Sequence, residues 1–275
     1  MSPDVVTRMP LRRLFRWICA GLAMLVVEGC AAPSAKDKVD PPPAPELKPA
    51  DKGERARVHL ELASYYFGRG QGTTALDEVK QALAADATIA GGLNLQGLIY
   101  GSLDQPQAAE ESFRRALQTN SRDGDAMHNY GWFLCQQKRY ADANNQFTAA
   151  LAQPAYRDTI RTLLAQGVCQ ARNLQWAEAE RTLSRAYEFD PSNPTTAVNL
   201  SEVLYRRGEY ERALFYIKRV NDRDNLISAQ TLWLAARIAN RLGDQAQVQA
   251  LGNRLRDRFP QSPETLLFER GRFNE

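Results

Sequence analysis

The chain has 275 residues, of which 44% are hydrophobic and 24% charged, so it can build a folded core and is not wholly disordered. The 35 Lys and Arg residues against 32 Asp and Glu leave a net charge of +3, too small an excess to indicate nucleic-acid binding. The two histidines, His59 and His128, have no cysteine partners at the spacing of zinc ligands. We therefore expect no metal site, no cofactor and no histidine-based catalytic triad.

Residues 1–29 have the features of an export signal. Arginines precede a short apolar run over residues 17–27, which is too short to span a bilayer comfortably. The following residues, 30–54, are rich in proline and mixed charge and leave almost nothing to bury. We predict that they form a semi-extended linker, which holds a folded body over residues 55–275 away from a membrane.

The junction at Cys30 resembles a bacterial lipobox. Val27 and Gly29 fit that pattern, whereas Glu28 stands where a small or apolar residue is usual. The resemblance implies that Cys30 becomes a lipidated, palmitate-bearing N-terminus, and Ala31 after it implies sorting to the outer membrane. The alternative is a plain signal peptide cleaved near Ala31 or Ala32, with Cys30 incidental.

From Arg55 onward the chain repeats with a period near 34 residues. Each unit has three marker positions, small in the first four units, and the spacing between them is 12 and then 7 residues. Small residues let two helices cross closely, while bulky residues beside them fill the remaining space. The marker residues, unit by unit, are Ala63, Ala75 and Ala82; Gly97, Ala109 and Ala116; Gly131, Ala143 and Ala150; Gly167, Ala179 and Ala186; Ser201, Ala213 and Val220; and Ala236, Val248 and Leu255.

These residues match the tetratricopeptide repeat, a helix–turn–helix unit. Pro191 and Pro260 stand where that pattern places its closing proline, and Gly70, Gly208 and Gly243 fall at the turns between paired helices. The fold class is therefore all-α, a right-handed superhelix of about six repeats with a C-terminal capping helix over residues 263–275. Two extra residues between the third and fourth units predict an altered turn there.

Cys135 and Cys169 lie 34 residues apart, at similar heights on neighbouring first helices. Helices pack at about 8–10 Å between axes, and a disulfide needs Cα atoms within about 7 Å. An exported chain would meet oxidising conditions, which favour a bridge. The alternative is a pair of reduced, buried cysteines that act as small hydrophobic residues.

One stretch is more specific than a generic repeat. Residues 128–135 read His-Asn-Tyr-Gly-Trp-Phe-Leu-Cys, followed by Tyr-Ala-Asp-Ala at 140–143 and Gly-Val-Cys at 167–169. With the lipobox and the repeats, this stretch resembles the type IV pilus biogenesis lipoproteins of the PilF/PilW type. The resemblance implies a non-enzymatic outer-membrane lipoprotein on the periplasmic face. Such a pilotin binds the pilus secretin, promotes its localisation and multimerisation, and so supports pilus biogenesis and twitching motility.

The repeat register also predicts a partner-binding groove lined by the first helices. Phe67, Leu98 and Trp132 would supply an apolar patch, since exposed apolar patches and tryptophan mark interaction sites. The alternatives are that Trp132 packs in the core and that His128 is a plain surface residue. The predicted groove residues are Leu60, Ser64, Phe67, Asn94, Leu98, His128, Trp132, Gln136, Leu164 and Val168.

Two other classes of protein compete with this interpretation. One is a different exported repeat adaptor, serving outer-membrane protein or polysaccharide assembly. The other is an enzyme whose repeats recruit substrate, but the repeats and the linker leave no room for a catalytic domain. We expect a monomeric scaffold whose partners are the secretin subunit and, through acylated Cys30, the membrane lipid.

Overall fold

The computed structural model describes residues 51–274, which fold into paired helices. The predicted signal, the lipidation site Cys30 and most of the predicted linker lie outside these residues. Within the described part there are thirteen α-helices, one 3₁₀ turn at Asp224–Leu226 and no strand. The helices are α1 (Lys52–Gly68), α2 (Gly72–Ala85), α3 (Gly92–Ser102), α4 (Pro106–Thr119), α5 (Gly124–Gln136), α6 (Tyr140–Leu151), α7 (Thr159–Arg172), α8 (Trp176–Phe189), α9 (Pro194–Arg206), α10 (Tyr210–Asn221), α11 (Ala229–Leu242), α12 (Gln245–Arg258) and α13 (Pro263–Glu269).

Six helix pairs follow one another, from α1 with α2 to α11 with α12, and α13 closes the stack. Each helix packs against the next one in sequence, so the predicted all-helical repeat fold is confirmed. The first helix begins at Lys52, three residues before the start predicted at Arg55. No helix among residues 51–274 is both long and apolar enough to cross a membrane.

Polar residues fix where several first helices begin. The side chain of Asp123 accepts a hydrogen bond from the backbone N–H of Ala126 at the start of α5. Asn193 does the same for Thr196 at the start of α9. These caps satisfy backbone donors that the first turn of a helix leaves unpaired.

The marker positions of the repeat pack where paired helices cross, and all of them are buried. A methyl group added to Gly97 would lie 2.7 Å from Phe113 Cε1, which is closer than carbon atoms approach. In the fifth unit the residue is Ser201, whose hydroxyl donates a hydrogen bond to the carbonyl of Ala213 at 2.8 Å. The unit therefore keeps a close crossing while satisfying the buried hydroxyl.

Every unit turns from its first to its second helix through one residue in the left-handed conformation. That residue comes seven positions after the first marker residue of the unit. Three of the six are the predicted glycines, and the other three carry a side chain at positive φ. In chain order the residues are Gly70, Asp104, Lys138, Leu174, Gly208 and Gly243.

The two extra residues between the third and fourth units do alter the connection, as predicted. It runs over residues 152–158 and places the ring of Tyr156 against Gly124, where an added methyl group would lie 2.5 Å from Tyr156 Cδ2. The Tyr156 hydroxyl lies 2.6 Å from Thr162 Oγ1 on α7. The inserted residues therefore pack between these two repeats, because Tyr156 contacts both of them.

Helix α13 covers the last repeat. Phe268 packs on Gly252 of α12, and Phe273 stacks on Trp233 of α11 with ring centroids 5.3 Å apart. The apolar end of the stack, which no further repeat covers, is thus closed by aromatic side chains.

Candidate partner-binding surface

The first helices form the inner layer of the stack. Neighbouring first helices contact one another along the described residues, whereas no comparable contact joins neighbouring second helices. Most predicted groove residues are half-buried, with Ser64 and Gln136 exposed and His128 buried. The half-buried ones are Leu60, Phe67, Asn94, Leu98, Trp132, Leu164 and Val168.

His128 is not a surface or groove residue, so this prediction is wrong. Only 5% of the residue is exposed, and its Nδ1 lies 2.8 Å from Thr162 Oγ1 on the next first helix. The ring also meets Phe147 edge to face, with centroids 5.9 Å apart. Burial, with the nearby charge of Arg161, lowers the pKa of His128 from 6.5 to about 4. The side chain therefore joins two repeats as a neutral imidazole.

The predicted apolar patch is divided in the structure. Leu98 and Trp132 line one shallow pocket, together with Phe113 and Gln136. Phe67 instead packs against the core formed by the first and second repeats. The structure thus brings two of the three predicted residues together at the junction of the second and third repeats.

Trp132 has both of the roles that sequence left open. It packs against the core of the third repeat, yet it remains half-buried and lines the pocket. The guanidinium of Arg172 lies over its ring, 4.9 Å from the centroid. Arg172 belongs to this surface although it was not among the predicted groove residues. The repeat register could have found it, because Arg172 comes five residues after Gly167.

Polar side chains connect neighbouring first helices near this pocket. The amide of Asn129 donates to Asn94 Oδ1 at 3.1 Å, and Arg161 donates to Asn129 Oδ1 at 2.9 Å. These bonds link three consecutive repeats, because Asn94, Asn129 and Arg161 lie on α3, α5 and α7. Asn94, a predicted groove residue, is therefore already engaged within the chain.

A disulfide joins Cys135 on α5 to Cys169 on α7, with Cα atoms 5.9 Å apart. Both cysteines are buried beside the core that contains Phe147. The bridge ties the first helices of the third and fourth repeats together, and it does so close to Trp132. It holds the spacing of the inner layer at this junction.

Nothing among residues 51–274 forms a cluster of His, Cys, Asp and Glu side chains with the geometry of a metal site. Several buried polar groups of this surface bond to one another, as His128 and Thr162 do. The surface consists of apolar side chains, amides and guanidinium groups, which suit the recognition of another polypeptide.

Comparison with known proteins agrees with this architecture. The family model described as tetratricopeptide repeat matches residues 94–158 and 164–225. The chain is 26% identical over 221 residues to the type IV pilus assembly protein PilF of Pseudomonas aeruginosa, covering 80% of this chain and 87% of PilF.

Two solved structures extend the comparison. The crystal structure of PilW, a widely conserved type IV pilus biogenesis factor, is 29% identical with a TM-score of 0.71, covering 77% of this chain and 96% of PilW. The structure of P. aeruginosa PilF has a TM-score of 0.68 at 24% identity, covering 80% of this chain and 99% of that one, and shows the shared fold.

Residues 94–158 and 164–225 therefore match the tetratricopeptide repeat, and the described residues 51–274 share the all-helical repeat fold of the solved structures. The chain is homologous to PilF and structurally similar to PilW, both of them type IV pilus biogenesis proteins. The predicted resemblance to proteins of this type is confirmed.

Proposed function

We propose that this chain is an outer-membrane lipoprotein scaffold that binds the type IV pilus secretin and promotes its localisation and multimerisation. The observation that carries the proposal is the homology to PilF, which extends over most of both chains. The similarity to PilW supports the same role in pilus biogenesis. The scaffold acts by binding another polypeptide, without catalysis.

The inner layer of first helices supplies the binding surface in this proposal. The pocket formed by Leu98 and Trp132 is largely apolar, and both side chains pack against the core shared by the second and third repeats. A fixed apolar pocket loses little conformational entropy when a partner binds. It therefore suits an apolar side chain of a secretin segment.

Anchoring belongs to the same proposal and depends on the residues before the repeats. Acylation of Cys30 would hold the repeats on the periplasmic face of the outer membrane, where secretin subunits assemble. Metabolic labelling with a palmitate analogue tests this step, and Cys30→Ala is the matched variant. Labelling that persists in the variant, or an unlabelled wild-type chain recovered in the soluble fraction, contradicts it.

The secretin proposal is tested by deleting the gene and measuring secretin assembly. We expect subunits to remain monomeric on denaturing gels, and surface pili and twitching to disappear. Normal heat- and detergent-resistant multimers in the deletion strain would reject the proposal. Recovery of a different outer-membrane or polysaccharide assembly protein from solubilised envelopes would favour the alternative adaptor role.

The binding surface has its own matched pair of variants. Trp132→Ala removes the aromatic wall of the pocket, so the complemented strain should form fewer secretin multimers. Phe189→Ala removes an aromatic residue that is 60% exposed at the end of α8, a second helix, and should leave multimers unchanged. Equal multimer levels in both strains would place the binding surface elsewhere on the chain.

A further inference from the structure

The inner layer changes its charge along the stack. The first helices of the last three repeats, α7, α9 and α11, contain five arginines and one acidic residue, Glu202. Arg161, near the start of α7, lies beside Asp158 at 3.3 Å. For the other four arginines, these three helices contain only one carboxylate, that of Glu202. The four are Arg172, Arg206, Arg237 and Arg241, which we call the arginine face.

The arginine face follows the repeat register, so its members lie on one side of the stack. Arg172, Arg206 and Arg241 each come five residues after the first marker residue of their helix. Arg237 lies one turn before Arg241 on α11. The equivalent positions of the first three repeats carry no charge. They are occupied by Gly68, Ser102 and Gln136.

Aromatic rings hold three of the four guanidinium groups in place. A guanidinium stacked over a ring is attracted through its face, while its N–H donors at the edge remain available. Stacking therefore orders the side chain without using its hydrogen bonds. The pairs are Arg172 over Trp132 at 4.9 Å, Arg237 over Tyr205 at 4.9 Å and Arg241 over Tyr210 at 5.0 Å.

The arginine face has more donors than the acceptors among residues 51–274 satisfy. Glu202 accepts from Arg206 Nε and from Arg237 Nη2, each at 2.8 Å. Arg237 is nearly buried, and its Nε has no acceptor among the described residues. Arg172 and Arg241 form ring contacts but no ion pair with a carboxylate of residues 51–274. Ordered, unpaired guanidinium groups are a prepared site for carboxylates, which they bind through two parallel hydrogen bonds.

We propose that the arginine face binds an acidic segment of the partner polypeptide. The inference rests on the proposed scaffold function and adds the chemistry of the bound segment. Neighbouring first helices lie about 8–10 Å apart, and an extended chain advances about 3.3 Å per residue. An extended segment with a carboxylate at every third residue therefore matches the spacing of Arg172, Arg206 and Arg241. Arg206 already donates to Glu202, so Arg172 and Arg241 are the two that supply unpaired donors among residues 51–274.

Charge complementarity favours an acidic polypeptide over a nucleic acid. Proteins that bind single strands stack bases on open aromatic rings. Here the rings of Trp132, Tyr205 and Tyr210 are covered by guanidinium groups. The surface thus offers a row of guanidinium donors that can bind carboxylates, and these rings are not open for bases to stack on.

The test uses overlapping peptides of about 15 residues from the secretin subunit of the same genome, together with a model peptide that has Asp at every third position. Binding to the detergent-solubilised full chain is measured by fluorescence anisotropy. We expect acidic peptides to bind, and Arg172→Gln with Arg241→Gln to weaken their binding by about tenfold or more. The matched control is Arg181→Gln with Arg185→Gln, two exposed arginines of the second helix α8. It should bind as the wild type does.

The outcomes separate the two proposals. Secretin peptides that bind equally well to the wild type and to the Arg172/Arg241 variant overturn the arginine face and leave the secretin proposal standing. Arginine-dependent binding of the model peptide alone supports the face but contradicts the secretin as its partner. If neither peptide set binds, or if the control variant loses binding equally, the arginine face is overturned.

Discussion

His128 shows how the environment of one side chain changes its protonation. The ring is packed between Thr162 and Phe147 and is almost removed from water. Because burial disfavours the charged imidazolium, its pKa falls to about 4. The register of the repeat places His128 at a groove position, whereas contacts with Thr162 on α7 and Phe147 on α6 bury it. The spacing of residues within one repeat does not contain that information.

This burial makes stability depend on pH. The unfolded chain takes up a proton near the ordinary histidine pKa of 6.5, whereas the folded chain does so near 4. His128 should therefore cost the fold roughly 3 kcal/mol as the pH falls from 7 to 4. Urea unfolding of the wild type and of His128→Asn across this range measures the difference. Parallel pH profiles for the two proteins would contradict the burial of a neutral histidine.

The left-handed turn position gives a second prediction at the scale of single residues. Leu174 has a φ of 60° and is 71% exposed, so its side chain adds strain and little packing. A non-glycine residue in this conformation costs about 1–2 kcal/mol, partly offset by the extra entropy of glycine in the unfolded chain. Leu174→Gly should raise the free energy of unfolding by about 0.5–1 kcal/mol, measured by urea denaturation. The reverse control, Gly208→Leu, should lower it, and equal midpoints for all three proteins would contradict the argument.

At the scale of elements, the crossing of paired helices decides which residues are tolerated. Gly97 and Gly101 both lie in α3, one turn apart. A methyl group at Gly97 would press on Phe113 at 2.7 Å, whereas one at Gly101 would meet Phe133 at an ordinary 3.7 Å. The same substitution therefore has opposite physical consequences at the two positions.

Gly97→Ala should destabilise the protein by about 1–3 kcal/mol, because the added carbon overpacks the crossing. Gly101→Ala should be stabilising by about 0.5–1 kcal/mol, because alanine is the better helix former. Thermal or urea unfolding of both variants provides the comparison. A similar change of stability in the two variants would show that the crossing does not control this position.

The helices themselves were largely predictable because the signal repeats. The spacings of 12 and 7 residues correctly placed both Ala63 and Ala236 at helix crossings, although the sequence of the last unit has diverged. Helix α1 begins three residues before the predicted start of the repeat domain at Arg55, in sequence that follows the prolines and without a side-chain cap. Long-range patterns identify elements, whereas their ends depend on local contacts that no period encodes.

For the whole molecule, the disulfide is the one covalent tie between repeats among the described residues. Its two cysteines lie 34 residues apart, and closing a loop of that length removes unfolded-state entropy worth about 3–4 kcal/mol. Reduction should lower the free energy of unfolding by this amount, as measured in urea with and without dithiothreitol. The double variant Cys135→Ala with Cys169→Ala should be insensitive to the reductant. A wild type that is equally insensitive would contradict the contribution of the bridge.

The candidate site was predictable in position but not in chemistry. The repeat register predicted that Leu98 and Trp132 lie on the inner layer, and in the structure they line one pocket. Register also held the signal for Arg172 and Arg241, since both follow the first marker residue at the same interval. Their stacking on Trp132 and Tyr210 depends on side chains from other helices, so it required the three-dimensional structure.

Because each helix packs on the next one in sequence, the native contacts of this stack are local ones. Chains of low contact order fold quickly, since few distant segments must find each other. If the chain is exported as proposed, its units would order one after another as it emerges through a membrane pore, starting from α1. Cys135 would meet Cys169 as soon as a single further unit had formed, long before the last helix had left the pore.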